Sequence, residues 1–265
     1  LAENIPPPLT EDHASKLKGL IWVAAACACG IFFAVGITPL AHAIPWSWEQ
    51  KLGKAVQLDL KNNDCRYNPE ADALLLRLVQ RIYPLGPEDK AFSIEVRVAQ
   101  DPVVNAYATL GGKITLNSGL LKRAESPEEI AGVLAHEIGH VHHRHIMEGA
   151  LVHLFTAQGI NMIFGSGTSA AGFAKYFLNM DFTRSQEAQA DEDGLRRLQM
   201  AHVDNQGFKR FFERMGKDEP GSVFLSDHPS SRERMEMVDQ FKNQDTQPIM
   251  TPAEWEVLRN YCGGK

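Results

Sequence analysis

The chain has 265 residues, 44% hydrophobic and 23% charged, which is ordinary globular material, enough for one substantial domain or two small ones. A formal net charge of −6 leaves no basic footprint for nucleic acid, so that partner class is excluded. No internal repeat or long low-complexity tract is visible, which removes solenoid architectures.

Residues 1–19, with the Pro6-Pro7-Pro8 run, read as a linker. The segment from Leu20 to Ile37 carries no charge, and at ~1.5 Å rise per residue it reaches about 27 Å, close to the hydrocarbon core of a bilayer. Lys16 and Lys18 precede it, and Trp46 and Trp48 follow at the place of an interfacial aromatic belt. This predicts one transmembrane helix over 20–37. The competing reading is a signal peptide cut at Ala41-His42-Ala43. The length of the apolar run, the partly acidic leader and the direct continuation of "IPWSWEQKLG" into a helix pattern favour an uncut anchor. Either reading exports residues 46–265, the expected catalytic domain. Cys65 and Cys262 lie near the two ends of that part and could pair in an oxidising compartment.

"WEQKLGKAVQLDL" and "PEADALLLRLVQRI" have the three- and four-residue apolar spacing of amphipathic helices. "FSIEVRVAQ" alternates from Phe92 to Val98 as a half-buried strand does, and two short strand-like runs flank the turn signal Gly111-Gly112. A helix then opens at Ser126, with Pro127 first and Glu129 third, the pattern of a capping box. "ALVHLFTAQGINMIF" reads as a core helix running into the loop "GSGTSAAG", with a mobile lid as the less favoured reading. "SQEAQADEDGLRRLQ", "NQGFKRFFERMG" (ending at Gly216), "HPSSRERMEMVDQF" and "TPAEWEVLRNY" are further helices, the last with Thr251, Pro252 and Glu254 as cap signals. Helices around one small sheet make an α+β domain.

The stretch "LAHEIGHVHHRH" (residues 134–145) concentrates the candidate chemistry. His136 and His140 are four residues apart, so both face one side of a helix, and Glu137 is turned by ~100° from His136. This is H-E-x-x-H, in which two imidazoles bind Zn²⁺ and the glutamate acts as base on a water. A solvated His-rich helix is the bland alternative, and the apolar background of Leu134, Ala135, Ile138 and Val141 argues against it.

A catalytic zinc needs a third protein ligand. The H-E-x-x-H-x-x-G-x-x-H arrangement is excluded, because His143 and Ile146 stand where Gly and His would be required. His142, His143 and His145 are then explained as groups favoured by a helix C-terminus. The better candidate is "RSQEAQADEDG", where Glu187 and Asp191 are again four apart: Glu187 as carboxylate ligand, Asp191 as acceptor from a zinc-bound histidine. Ala188 and Ala190 point to close helix packing rather than a solvated acidic face.

"LAHEIGHVHHRH", then "EAQAD", then "SDHPSSRERM", together with "VNAYATLGGKITLNSGLL", resemble metallopeptidase family 48, the gluzincins. That family includes bacterial envelope and mitochondrial inner-membrane stress peptidases and, more distantly, the CAAX prenyl protease. The resemblance covers most of residues 48–242. The family often has E-x-E-A-D; Gln189 stands at its middle position here, which leaves Glu187 as the matching ligand.

The resemblance implies a zincin-like α+β domain, one zinc per chain, and a metalloendopeptidase that hydrolyses unfolded or damaged envelope and membrane proteins. It places the chain in a bacterial inner membrane with a periplasmic catalytic domain, or soluble in the periplasm if the leader is cut. It points to His228 and Arg234 as catalytic groups, against the plainer readings of a helix-start His-Pro and a surface salt bridge. His228 would occupy zinc's fourth position at rest and donate to the oxyanion during reaction. An extended substrate would add as a strand along Asn105, Ala106, Tyr107 and Ala108. A zinc-containing holdase with silent or latent peptidase activity is the alternative, and the intact Glu137 argues against a dead site.

Overall fold

The computed structural model describes residues 36–60, 63–155, 176–177, 180–218, 223–228, 232–241 and 245–263. Its first part holds α1 (Ile37–Ala43), α2 (Trp46–Leu60) and α3 (Pro69–Ile82), followed by β1 (Glu95–Ala99), β2 (Ala106–Thr109) and β3 (Lys113–Asn117). Then come α4 (Ser118–Arg123), α5 (Pro127–His142), α6 (His145–Phe155), α7 (Arg184–Met200), α8 (Gln206–Asp218), α9 (Val223–Asp227), α10 (Arg232–Gln240) and α11 (Pro252–Arg259). The result is a mostly helical domain around one small sheet.

The sheet has the order β1-β3-β2. β3 runs parallel to β1, Glu95 opposite Lys113 and Ala99 opposite Asn117, and antiparallel to β2, Ala106 opposite Leu116 and Thr109 opposite Lys113. Gly111 and Gly112 both take positive φ in the turn between β2 and β3, a conformation glycine adopts without a Cβ clash. β1 starts three residues later than the alternation predicts, because Phe92 closes a 3₁₀ turn over Glu88–Ala91.

α5 packs on β2, α7 and α8, and its residues from Ile130 to Val141 are all buried. Leu78, Ile82, Ile114, Leu116, Leu134, Phe208, Phe211 and Phe212 fill the core around it, each contributing roughly 1.5–3 kcal/mol by leaving water. Ser126 is its N-cap and Pro127 its first residue as predicted, but the capping box is not formed, since Ser126 makes no side-chain cap bond. Glu129 instead accepts from the Glu125 backbone N–H and takes both arms of Arg214, tying the helix start to α8. The capping box predicted at Thr251 and Glu254 is present, and α8 runs two residues past Gly216.

α1 buries Ala41 and packs on α6. Cys65 and Cys262 form a disulfide with Cα atoms 5.1 Å apart, joining the start of the domain to its end. No helix among the described residues is long and apolar enough to cross a membrane. The segment expected to do so, 20–37, lies outside the described residues except for Gly36 and Ile37, as does the loop "GSGTSAAG".

Candidate active site

Two helices bring the chemistry together. α5 and α7 form the most extensive helix contact in the chain, and small residues set its distance. A Cβ on Gly139 would stand 2.7 Å from the Ala190 carbonyl oxygen, and one on Gly194 would stand 3.0 Å from the His136 backbone nitrogen. At this separation Glu187 and Asp191, one turn apart on α7, reach His136 and His140, one turn apart on α5.

His136 Nε2 lies 3.0 Å from His140 Nε2 and 3.1 Å from His228 Nδ1. Glu187 Oε1 lies 3.1 Å from His228 Nδ1 and 3.3 Å from His140 Nε2. Zinc bonded at ~2.0 Å to four tetrahedral donors holds them ~3.3 Å apart. The four side chains thus already have the spacing of a zinc cage, and all four are buried. Neutral imidazole with one carboxylate is also the donor chemistry that suits this metal. Of the expected ligands, His136, His140 and Glu187 occupy three corners, and His228 supplies the fourth.

The outer nitrogens have defined partners. His136 Nδ1 donates to Asp191 Oδ1 at 2.8 Å, which leaves its Nε2 lone pair facing the cage. His140 Nδ1 lies 3.0 Å from His145 Nδ1, and His145 Nε2 lies 3.0 Å from Gln189 Oε1. The amide oxygen only accepts, so His145 donates from Nε2 and accepts at Nδ1; His140 therefore donates from Nδ1 and also turns an Nε2 lone pair inward. Burial pushes His145 down to about 4, which keeps it neutral for this relay. Phe182 stacks on the His140 ring at 3.8 Å.

His145 corrects the helix-end reading of that residue. It is buried against His140, and this follows from Arg144, whose φ of 63° reverses the chain between α5 and α6. Left-handed backbone costs roughly 1–2 kcal/mol for a residue with a Cβ. Arg144 offsets that with Glu49 at 2.9 Å and the Ile44 carbonyl at 3.0 Å. His145 and Gln189 carried no spacing signal, since His145 follows His140 by five residues rather than four.

Arg234, from α10, bridges Glu187 and Asp191 of α7: Nη1 is 2.8 Å from Glu187 Oε2 and Nη2 donates to Asp191 Oδ1 at 2.7 Å. It is buried, not a surface pair. Burial alone would raise both acids, but His228 and His136 hold Glu187 well below the usual carboxylate range, and Arg234 with His136 does the same for Asp191. Burial drives His140 well below its ordinary value, which favours the neutral, metal-binding form.

Glu137 is fully buried beside the cage, with His228 Nε2 3.3 Å from its Oε1. Burial raises its carboxyl above the usual range, with His228 and His136 acting against the rise and the Ala108 backbone amide also favouring the charged form. Ala108 belongs to β2, which among the described residues pairs only with β3 and so presents an edge. Asn105, just before that strand, and Ala106 are buried and Tyr107 is half-buried, so three of the four expected substrate residues lie on the strand and the fourth directly precedes it.

Comparison with known proteins agrees with this architecture. The profile of peptidase family M48 matches residues 70–242. The mitochondrial metalloendopeptidase OMA1 of Arabidopsis thaliana is 35% identical over 156 residues, covering 57% of this chain and 32% of that protein. The metalloprotease LoiP of Escherichia coli is 31% identical over 176 residues, 61% of this chain and 68% of LoiP. A putative beta-barrel assembly-enhancing protease of Vibrio cholerae is 30% identical over 155 residues, 51% of this chain and 32% of that protein. The chain therefore belongs to peptidase family M48, a family of zinc metallopeptidases. It spans about a third of the OMA1 and Vibrio relatives.

Proposed function

We propose that this chain is a zinc-dependent endopeptidase that cleaves unfolded or damaged proteins of a bacterial envelope, with His136, His140 and Glu187 as ligands and Glu137 as the base. The observation that carries the reading is the four-donor cage at zinc spacing with the fully buried Glu137 carboxylate beside it. Zinc, when bound, supplies the Lewis acid that polarises the scissile carbonyl and acidifies a water.

The remaining work falls to side chains. Glu137 takes the proton of the attacking water and carries it to the leaving amine; its raised proton affinity suits both transfers. Asp191 and the His145–Gln189 relay fix the ring orientations of the two ligands, and Arg234 keeps Asp191 and Glu187 in register. An extended substrate strand pairs with the edge of β2, which delivers its carbonyl next to Glu137 and reads backbone rather than side chains. Such recognition suits unfolded chains.

His228 occupies the corner that a catalytic site keeps open. In this arrangement it holds the enzyme latent. With zinc held by His136, His140 and Glu187, a His228 displaced by substrate would be free to donate its N–H to the oxyanion. The holdase reading gains nothing from the site, because a binder has no use for a base placed at the metal.

One relative is named as mitochondrial and another as enhancing beta-barrel assembly, which supports a setting at a membrane. The Cys65–Cys262 disulfide fits an oxidising compartment, and 20–37 would anchor the chain in the inner membrane with this domain in the periplasm. The test is hydrolysis of an unfolded protein by the purified chain. Activity lost to a chelator and restored by zinc is expected, and cleavage indifferent to chelation removes the proposal.

A further inference from the structure

We propose that His142, His143 and Asp193 form a second divalent transition-metal site, at the outer end of the contact between α5 and α7. One donor atom from each of the three lies within 4.8 Å of the others. Asp193 Oδ1 stands 3.4 Å from His142 Nδ1, which matches the ~3.3 Å edge of a zinc tetrahedron. His142 Nδ1 is shielded from water and has no well-formed hydrogen bond, facing Asp193 alone among its neighbours, an under-satisfied state for a buried polar atom.

The donors are held in place. Asp193 Oδ2 accepts from Arg197 Nε at 2.9 Å, and Arg197 is itself fixed by two 2.8 Å bonds to Asp89. The other oxygen is thereby turned towards His142. The His142 ring meets Phe92 edge-on at 5.5 Å, and Phe92 packs on Trp46. His143 is half-buried and borders a cleft of about 400 Å³ that His42, Thr183 and Gln189 also line, so its side of the site is open to solvent. As in the quartet, a carboxylate backed by arginine faces imidazoles, here two rather than three.

Imidazole-rich donors select Zn²⁺, Ni²⁺ or Cu²⁺ over Mg²⁺ and Ca²⁺. Three ligands at a half-exposed position bind more weakly than four buried ones, so this second ion exchanges while the first stays. Once bound, it ties the end of α5 to α7, beside a His143 ring that stacks on His145 at 5.5 Å.

The test uses the full chain without a polyhistidine tag, loaded with one zinc and freed of excess, then titrated with Zn²⁺ in equilibrium dialysis with metal analysis. A second equivalent is expected. His143→Ala and His142→Ala should each weaken it by at least about tenfold while keeping the first zinc and the circular dichroism spectrum. Absence of a second equivalent up to millimolar zinc overturns the site, as does a second equivalent that either variant leaves unchanged. The first zinc is counted separately, so failure here is distinct from failure of the catalytic reading. If His142→Ala misfolds, the half-exposed His143→Ala decides alone.

Discussion

His140 and His145 face each other through their Nδ1 atoms at 3.0 Å, so one histidine of the cage is oriented by another that no motif assigns to it. Loss of an outer partner of a zinc-bound histidine lowers metal affinity by roughly 10–100-fold. His145→Ala should show a loss of that size in competition with a chromogenic chelator. Gln189→Glu keeps an acceptor for His145 and should retain zinc as well as the parent does. Equal zinc affinity in His145→Ala would reduce the relay to packing.

Glu137→Gln should keep zinc and fold yet lose activity by about 10²–10⁴-fold, since only the proton carrier is removed. Glu187→Ala should instead lose most of the zinc, measured by metal analysis after gel filtration. Near-normal turnover in the first variant would require another base, and full zinc retention in the second would remove Glu187 as a ligand.

For His228→Ala two effects oppose each other. Removal of the fourth donor opens the site, while removal of an oxyanion donor lowers kcat by on the order of 10²-fold. The expected result is a fall in kcat on an unfolded substrate with zinc still bound by three ligands. Higher activity than the parent would make His228 a plug alone, and unchanged kcat and KM would make it structural.

Acid should weaken the fold through Asp89, among other groups. Burial alone would raise its carboxyl, but two hydrogen bonds from Arg197 outweigh burial and hold it below the usual value. A depressed folded pKa gives stability that is present above the unfolded value, about 3.9, and is lost as pH falls through the folded one. Asp89→Asn should therefore cost about 3 kcal/mol at pH 7, the scale of a broken buried pair, and progressively less below about pH 4. Denaturant melts of both proteins at pH 7 and pH 3.5 check this; a gap that does not narrow in acid assigns the stabilisation to something other than the charge.

Much of this site is local and therefore legible in sequence. The four-residue spacings of His136 with His140 and of Glu187 with Asp191 are set by helix geometry, and helix geometry follows from apolar periodicity and caps close in the chain. The hairpin at Gly111-Gly112 and the cap at Thr251 are of the same kind. His228 and Arg234 stand apart, because only family resemblance pointed to them; no spacing relates them to α5. What tertiary structure decided is which groups meet across elements. The small residues Gly139 and Gly194 let α7 lie close enough to α5 for the cage to form, and the left-handed Arg144 turned His145 back on His140. Ser126 keeps the N-cap position without a side-chain bond, and the Glu129 carboxylate that a capping box would use is taken by Arg214, 85 positions away in the chain but adjacent in space. A charged, bidentate hydrogen bond outweighs a neutral local one, and that comparison exists only once the helices have packed.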